Sequence, residues 1–377
     1  MSRRRLAIFS PGGIGGGAFS QGQPAIASLV GALAARFELT FYSLAAVDPR
    51  FAPDGYRLRA PSTAWTLARA GLRGARWADL ARRFAVDHRA ARYHQLLALW
   101  GYPMGAFVVA LARLSRLPAA VVLLGGETAD LPAIGYGQLG RPIAGRLVRE
   151  TCRRADALIA VSRHQLDRLA ARGVSRPDAQ VVPIGAEADL FPFEARRRAP
   201  PLKLLHVANL TAVKDQTTLL RAFARVRAAT EARLRVVGDG ERRGELEALA
   251  GALGIAESVE LVGAVPFRRM PDHYRWADMF VLTSLSEGQN RALTEAAMCG
   301  VLQVSTPVGH IADLGDAVAV VVPAGDPETI AARILAVAGD ADGWQRRVSA
   351  ARAWAAAHDL GWTARRMTEL LGGTEGG

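Results

Sequence analysis

The sequence predicts an α/β protein built from two successive doubly wound, parallel-sheet domains. Three observations carry this. The chain has 377 residues, too many for one ordinary core and suited to two domains of similar size. Short β-rich apolar runs alternate along it with longer Ala-, Leu- and Arg-rich stretches of helical period, as in parallel strands joined by crossover helices. The alternation halts once, at FEARRRAPP (193–201), a polar stretch closing in two prolines, and then restarts.

In order, the first half predicts strands at 6–9, 39–43, 119–124, 157–161 and 180–183, with helices at 23–36 and 143–154. This domain is expected to span 1–193. The second half predicts strands at 202–207, 233–237, 259–262, 279–283 and 302–305. Helices at 215–230, 241–253, 268–276 and 291–299 alternate with them, giving a second domain at 202–355. From Pro327 to about Leu371 the chain reads as helical, and 356–377 is expected to pack back on the first domain. In such sheets ligands sit at the carboxyl ends of the strands.

Composition narrows the function classes. Half the residues are apolar and 22% are charged, a globular balance. The start, MSRRRLAIFS, reads as a first strand and not a signal peptide. The apolar stretch 104–114 is too short to span a bilayer and carries Arg113. Cys152 and Cys299 lie far apart and read as core thiols in a reducing cytoplasm. The histidines lack metal-ligand spacing, so no metal is expected.

The net charge of +12 is unevenly spread: residues 1–200 carry +14 and residues 201–377 carry −2. The arginines lack the interleaved aromatics of a nucleic-acid stacking platform, so no nucleic-acid partner is expected. The basic half fits an anionic membrane surface, bound peripherally from the cytoplasm, or an acceptor carrying phosphate. An Arg-rich composition filling solvated faces would give the same count.

The strongest motif is VLTSLSEGQNRALTEAAMCG (281–300). A β-run ends in a Ser-rich turn, a glycine and a helix start, whose unpaired N–H groups form a natural seat for a diphosphate. Gly288 lets the backbone approach a ligand closely. Glu287 and Glu295, spaced E-x7-E, can accept from sugar hydroxyls; the plainer reading has Glu287 at the helix dipole and Glu295 solvated. A second motif, HVANLTAVKDQTTLLRAF (206–223), places Lys214 near a helix start. Lys203 and Lys214 are the only lysines beside 45 arginines, a hint that a compact point charge is wanted there, as at a phosphate.

Together with LRVVGDGERRGELEALA (234–250), VELVGAVPFRRMPDHYRWADMFVLTS (259–284), CRRADALIAVSRHQLDRLAARGV (152–174), VVPIGAEADLF (181–191) and GWTARRMTELL (361–371), these segments resemble glycosyltransferase family 4. These are retaining, metal-independent enzymes of the GT-B fold, two Rossmann-like domains facing a central cleft. The resemblance implies a nucleotide-diphosphate sugar as donor, no cofactor, and a polysaccharide or lipid-linked glycan as acceptor. It implies that Glu295 holds the donor ribose and Glu287 the transferring sugar. Lys214 would neutralise the diphosphate with N–H groups of Gln289, Asn290 and Arg291. Backbone around Val265 would line the base pocket. The loop PGGIGGGAFSQGQ (11–23), with Gly15 and Gly16, would face the donor phosphates. The leaving phosphate itself would take the acceptor proton.

Three positions depart from the family pattern. Asn209 stands where an Arg is usual, leaving Arg291 as a substitute cation. The usual E-G-F-G reads Glu287-Gly288-Gln289-Asn290. Glu127, in VVLLGGETADLP, stands in the region of a family His; it is expected either to serve as a base or acceptor contact or to cap its own loop. His310, in STPVGHIADL, reads as a packed surface residue. Three other readings are weighed, among them an epimerase of the same two-domain fold, for which the sequence offers no identifiable acid and base. Gly13 to Ala18 fits the G-x-G-x-x-A of a nicotinamide dehydrogenase, but the second strand lacks the closing acid, Asp48 coming later. A family member without catalysis, serving as a binding partner, would have no need of Lys214, Glu287 and Glu295 together.

Overall fold

The computed structural model describes residues 3–17, 19, 22–61, 73–195 and 199–373. Ala18, Ser20 and Gln21 of the glycine-rich loop and residues 196–198 of the expected linker lie outside these. The chain divides into two compact units: residues up to Ile184 together with those from Leu360 on, and Gly185–Asp359.

In the first unit, β1 (Arg5–Ser10), β2 (Glu38–Ser43), β3 (Arg57–Arg59), β4 (Gln95–Leu99) and β5 (Ala119–Leu123) share one parallel sheet with two later strands. A small hairpin, β6 (Asp130–Leu131) and β7 (Tyr136–Gly137), intervenes before β8 (Ala157–Ala160) and β9 (Gln180–Val181). The order is β3-β2-β1-β4-β5-β8-β9. Ile8 registers between Phe41 and Leu97. Strands buried on both faces must be apolar at successive positions, and β1 is. Leu6 and Ile8 pack one way with Leu29, Leu33 and Met367, while Ala7 and Phe9 pack the other way with Leu80, Phe84 and Val108.

The second unit repeats the plan with β10 (Leu202–Val207), β11 (Ala232–Val237), β12 (Val259–Gly263), β13 (Met279–Leu282), β14 (Leu302–Ser305) and β15 (Val320–Val321). Their order is β12-β11-β10-β13-β14-β15, all parallel. Leu204, Leu234 and Val281 face one core, Leu205, Phe280 and Leu282 the other. In both sheets the strand order reverses beside the first strand, so the ligand-receiving crevices lie at the carboxyl ends of β1 and β4 and of β10 and β13.

Besides the two-residue strands β6, β7 and β15, two strands escape the sequence pattern. β4 lies in QLLALWGYPMGAFVVALA, an apolar run with no polar turn before the helix Ala106–Ser115. β3 is only RLR at a sheet edge. The unit boundary falls after Ile184, ahead of the proline-rich stretch, because Phe191 sits edge-on to Phe267 and Tyr274 at 5.7 Å in the second unit. Three helices follow, Pro327–Gly339, Ala341–Ala357 and Leu360–Leu370. The last belongs to the first unit: Met367 and Leu371 are buried there and Thr363 Oγ1 donates to Pro183 O at 2.8 Å. No helix among the described residues is long and apolar enough to cross a membrane.

Candidate functional site

The crevice of the second unit is framed by the turns after β10 and β13, laced to each other. Leu285 N donates to Val213 O at 2.8 Å, and Thr283 Oγ1 lies 3.1 Å from Lys214 O and 3.0 Å from Asp215 O. Asp215 caps the helix Gln216–Ala229 by accepting from Thr218 N at 3.3 Å. Asn290 caps Arg291–Met298 by accepting from Leu293 N at 3.2 Å. Both caps adopt φ 47°, a left-handed conformation uncommon for residues with a side chain. Trp100, just past β4 at the other crevice, is at φ 71°. Backbone strain of this kind gathers at functional sites.

This lacing brings Lys214 and Glu287 together. Lys214 Nζ stands 2.6 Å from Glu287 Oε1, with the side chains 19% and 11% exposed. The same oxygen accepts from Ser284 Oγ at 2.8 Å and Asn290 Nδ2 at 3.0 Å. Three donors fix the carboxylate, and a cation is held at the mouth of a helix whose first N–H groups favour an anion.

Glu295 lies on the same helix and is buried, not solvated. Tyr274 Oη donates to its Oε2 at 2.7 Å, and Arg291 Nε lies 3.3 Å from Oε1. Burial pushes the Glu295 carboxyl up to about 7, against the pull of the Arg291 charge and the Tyr274 hydroxyl. Arg291 is only 9% exposed: its guanidinium pairs with Glu187 and with Glu295 and lies over the Phe267 ring. It is therefore engaged inside its own unit in this state and does not stand free as the substitute phosphate cation.

The remaining expected donor residues surround this centre. Gly288 and Gln289 are buried in the turn, the Gln289 side chain reaching inward to Thr294 Oγ1 at 3.3 Å. Asn209 is exposed after β10, its carbonyl accepting from Gln216 Nε2 at 3.0 Å. Val265, past β12, packs on the core that holds Tyr274. Beneath the crevice lies His206, which no motif singles out. Its Nδ1 meets Val281 O at 2.8 Å and its Nε2 meets Gln216 Nε2 at 3.3 Å, so the proton sits on Nδ1. Burial pulls it down to about 4, keeping it neutral.

In the first unit, the glycine-rich loop follows β1. Gly15 O accepts from Asp48 N at 2.7 Å, and Gly16 O from Gly22 N at 2.6 Å. A Cβ on Gly15 would come within 2.3 Å of Val47 Cγ1, so this turn folds tightly on the segment after β2. Asp48 pairs with Arg50 at 2.7 Å instead of standing free at the strand end as a dinucleotide fold requires. Glu127 is buried, and its carboxylate accepts from Leu124 N at 2.7 Å, Gly125 N at 2.9 Å and Gly101 N at 3.2 Å. That is loop capping, tying the turn after β5 to the start of the turn after β4; burial raises its pKa. His310 is buried, not at the surface, and stacks on Trp354. Cys152 and Cys299 are buried and not in a disulfide.

Residues 22–185 match the family model of the glycosyl transferase 4-like domain, and residues 201–340 that of glycosyl transferases group 1. The chain is 31% identical over 254 residues to D-inositol 3-phosphate glycosyltransferase of Xylanimonas cellulosilytica, covering 61% of this chain and 60% of that protein. It is 26% identical over 202 residues to a component of the phosphatidylinositol N-acetylglucosaminyltransferase of Arabidopsis thaliana, covering 53% of this chain and 45% of that protein. The matched stretches thus span about half to three fifths of these relatives. The fold matches that of Anabaena HepE, solved in complex with UDP-glucose, with a TM-score of 0.75 at 17% identity, over 98% of this chain and 99% of that one.

Proposed function

This chain belongs to the family 4 glycosyltransferases of GT-B fold, and from that premise we propose that it moves a sugar, with retention at the anomeric carbon, from a nucleoside-diphosphate sugar to an acceptor hydroxyl. The observation that carries the reading is the Lys214–Glu287 pair, 2.6 Å apart at the capped N-terminus of the helix Arg291–Met298. When a nucleoside diphosphate leaves, negative charge grows on its bridging and terminal oxygens. A fixed ammonium and a helix N-terminus stabilise that charge without reorganising. Glu295 would accept from the ribose hydroxyls, and Glu287, oriented by Ser284 and Asn290, from the transferring sugar. No protein base is assigned; the leaving phosphate takes the acceptor proton.

The acceptor we propose carries phosphate, on a polyol or a lipid-linked glycan, and is met at the cytoplasmic face of an anionic membrane. The +14 charge of residues 1–200 supports this, as do relatives whose names specify inositol phosphate and phosphatidylinositol. So does the helix Pro142–Arg154, which exposes Ile143 and Leu147 near exposed Arg141 and Arg146. The first test is thermal melting with UDP, GDP, ADP, CMP and NAD in separate wells containing EDTA. A ligand at a hundredfold its Kd adds roughly 2.7 kcal/mol to the native state. One nucleoside diphosphate should raise the Tm of the wild type, and neither Lys214→Ala nor Glu295→Ala should respond. A response to NAD alone overturns the reading, and silence from every ligand leaves a binding protein without catalysis.

A further inference from the structure

We propose that a column of three rings, His310, Trp354 and His358, is the strut that sets the position of the donor turn Gly288–Asn290, making His310 and Trp354 positioning residues for this chain; the inference rests on the glycosyltransferase reading of that turn. It begins at Gly309. This residue has φ 54°, and a Cβ there would lie 2.9 Å from Gln289 Cα and 3.0 Å from Gly288 O. The backbone at 309 is thus pressed directly against the turn that carries Glu287 and Asn290. The next residue, His310, is buried, and its ring lies 4.9 Å from that of Trp354 with 6° between the planes. Trp354 in turn stacks on His358 at 4.9 Å. Trp354 sits on the helix Ala341–Ala357, which packs on the donor-side helix Arg291–Met298. His358 is pinned from the far side: a Cβ on Gly185 would come within 2.2 Å of His358 O.

The choice of side chain argues against plain core filling. His310 Nδ1 is buried with no hydrogen-bond partner, which costs free energy that a hydrocarbon ring of similar size would avoid. What His310 provides is a flat, neutral ring held parallel to an indole; burial keeps it neutral. A displaced column frees Gly309, and with it the backbone contact that holds Gly288 and Gln289.

The test compares Trp354→Ala, Trp354→Phe and His310→Ala with the full-length wild type. Amide hydrogen exchange is read across residues 286–293 without ligand, and Kd values for UDP, GDP and ADP are measured by calorimetry. In Trp354→Ala and His310→Ala the amides of Gln289, Asn290 and Arg291 should exchange about tenfold faster, and the nucleotide that binds the wild type should bind about tenfold more weakly. Trp354→Phe, which keeps a stacking ring, should restore most of both. Exchange in the helix Gln216–Ala229 should stay unchanged, separating a moved turn from a loosened domain. Variants that melt lower but keep wild-type exchange at 289–291 and wild-type nucleotide affinity overturn the strut. A wild type that binds none of UDP, GDP and ADP overturns the transferase reading instead, while the exchange comparison still decides the strut.

Discussion

The Tyr274 hydroxyl donates to Glu295 Oε2 at 2.7 Å, so one oxygen of the carboxylate assigned to the donor ribose is already occupied within its own unit. Arg291 lies by the other, and burial holds the carboxyl up at about 7. Glu295 is therefore poised between neutral and charged forms at ordinary pH.

The folded state keeps this proton up to about 7, whereas an ordinary glutamate loses it near 4.5. Stability should fall as pH rises between those values and level off above them, by at most roughly 3 kcal/mol. Urea unfolding from pH 4 to 8 should show this slope in the wild type, and Glu295→Gln should flatten it. An identical slope in both proteins would refute the assignment.

Donor binding should run the other way. A charged Glu295 accepts from two ribose hydroxyls, so nucleotide affinity should climb as pH passes through about 7. Because the phosphates titrate nearby, the informative quantity is the difference between wild type and Glu295→Gln in parallel titrations.

Lys214→Ala should lower kcat by about a hundredfold or more while leaving the melting profile close to wild type. Lys214→Arg should not restore the rate, since the pocket beside Ser284 and Asn290 is built around a compact ammonium. Turnover of donor by the alanine variant at the wild-type rate would remove Lys214 from the reaction.

Glu127→Ala leaves the N–H groups of Gly101, Leu124 and Gly125 without their acceptor. A loss of about 2–4 kcal/mol in urea unfolding is expected, with activity per folded molecule retained. A stable but inactive variant would instead make Glu127 a participant in the chemistry.

Vesicle binding tests the basic half. Wild type should bind anionic vesicles at least about tenfold more tightly than neutral ones at low salt. The double variant Arg141→Glu, Arg146→Glu should lose most of that preference. Equal binding to both kinds of vesicle would leave the arginines as solvated surface.

Much of this was legible in the sequence, and for physical reasons. β5 and β13 are uninterrupted apolar runs bounded by polar or glycine-rich turns, so their limits can be read directly. Lys214 and Glu287 both fall in turns at carboxyl ends of neighbouring central strands, which is why the two motifs, read with the family resemblance, point to one crevice. Side-chain partners are another matter. Nothing local to RALTEAAM says that Arg291 turns toward Glu187, about a hundred residues away, or that Tyr274 reaches Glu295. Glu127 looked equally like a base or a cap because its three N–H partners come from two separate loops. His310 reads as surface because it lies in a glycine-rich loop; the ring that stacks on it, Trp354, comes more than forty residues later, on a separate helix.

The unit Gly185–Asp359 is an uninterrupted segment, whereas the other unit needs the helix Leu360–Leu370 and the residue after it, Met367 and Leu371 filling the same core as Leu6 and Ile8. During synthesis the ribosome therefore delivers the start of the outer unit long before its last structural piece. The inner unit can complete itself while its host is still waiting. A chain broken off anywhere before residue 360 would leave an apolar gap beside the helix Pro24–Ala34, an exposed surface for quality-control proteases to recognise.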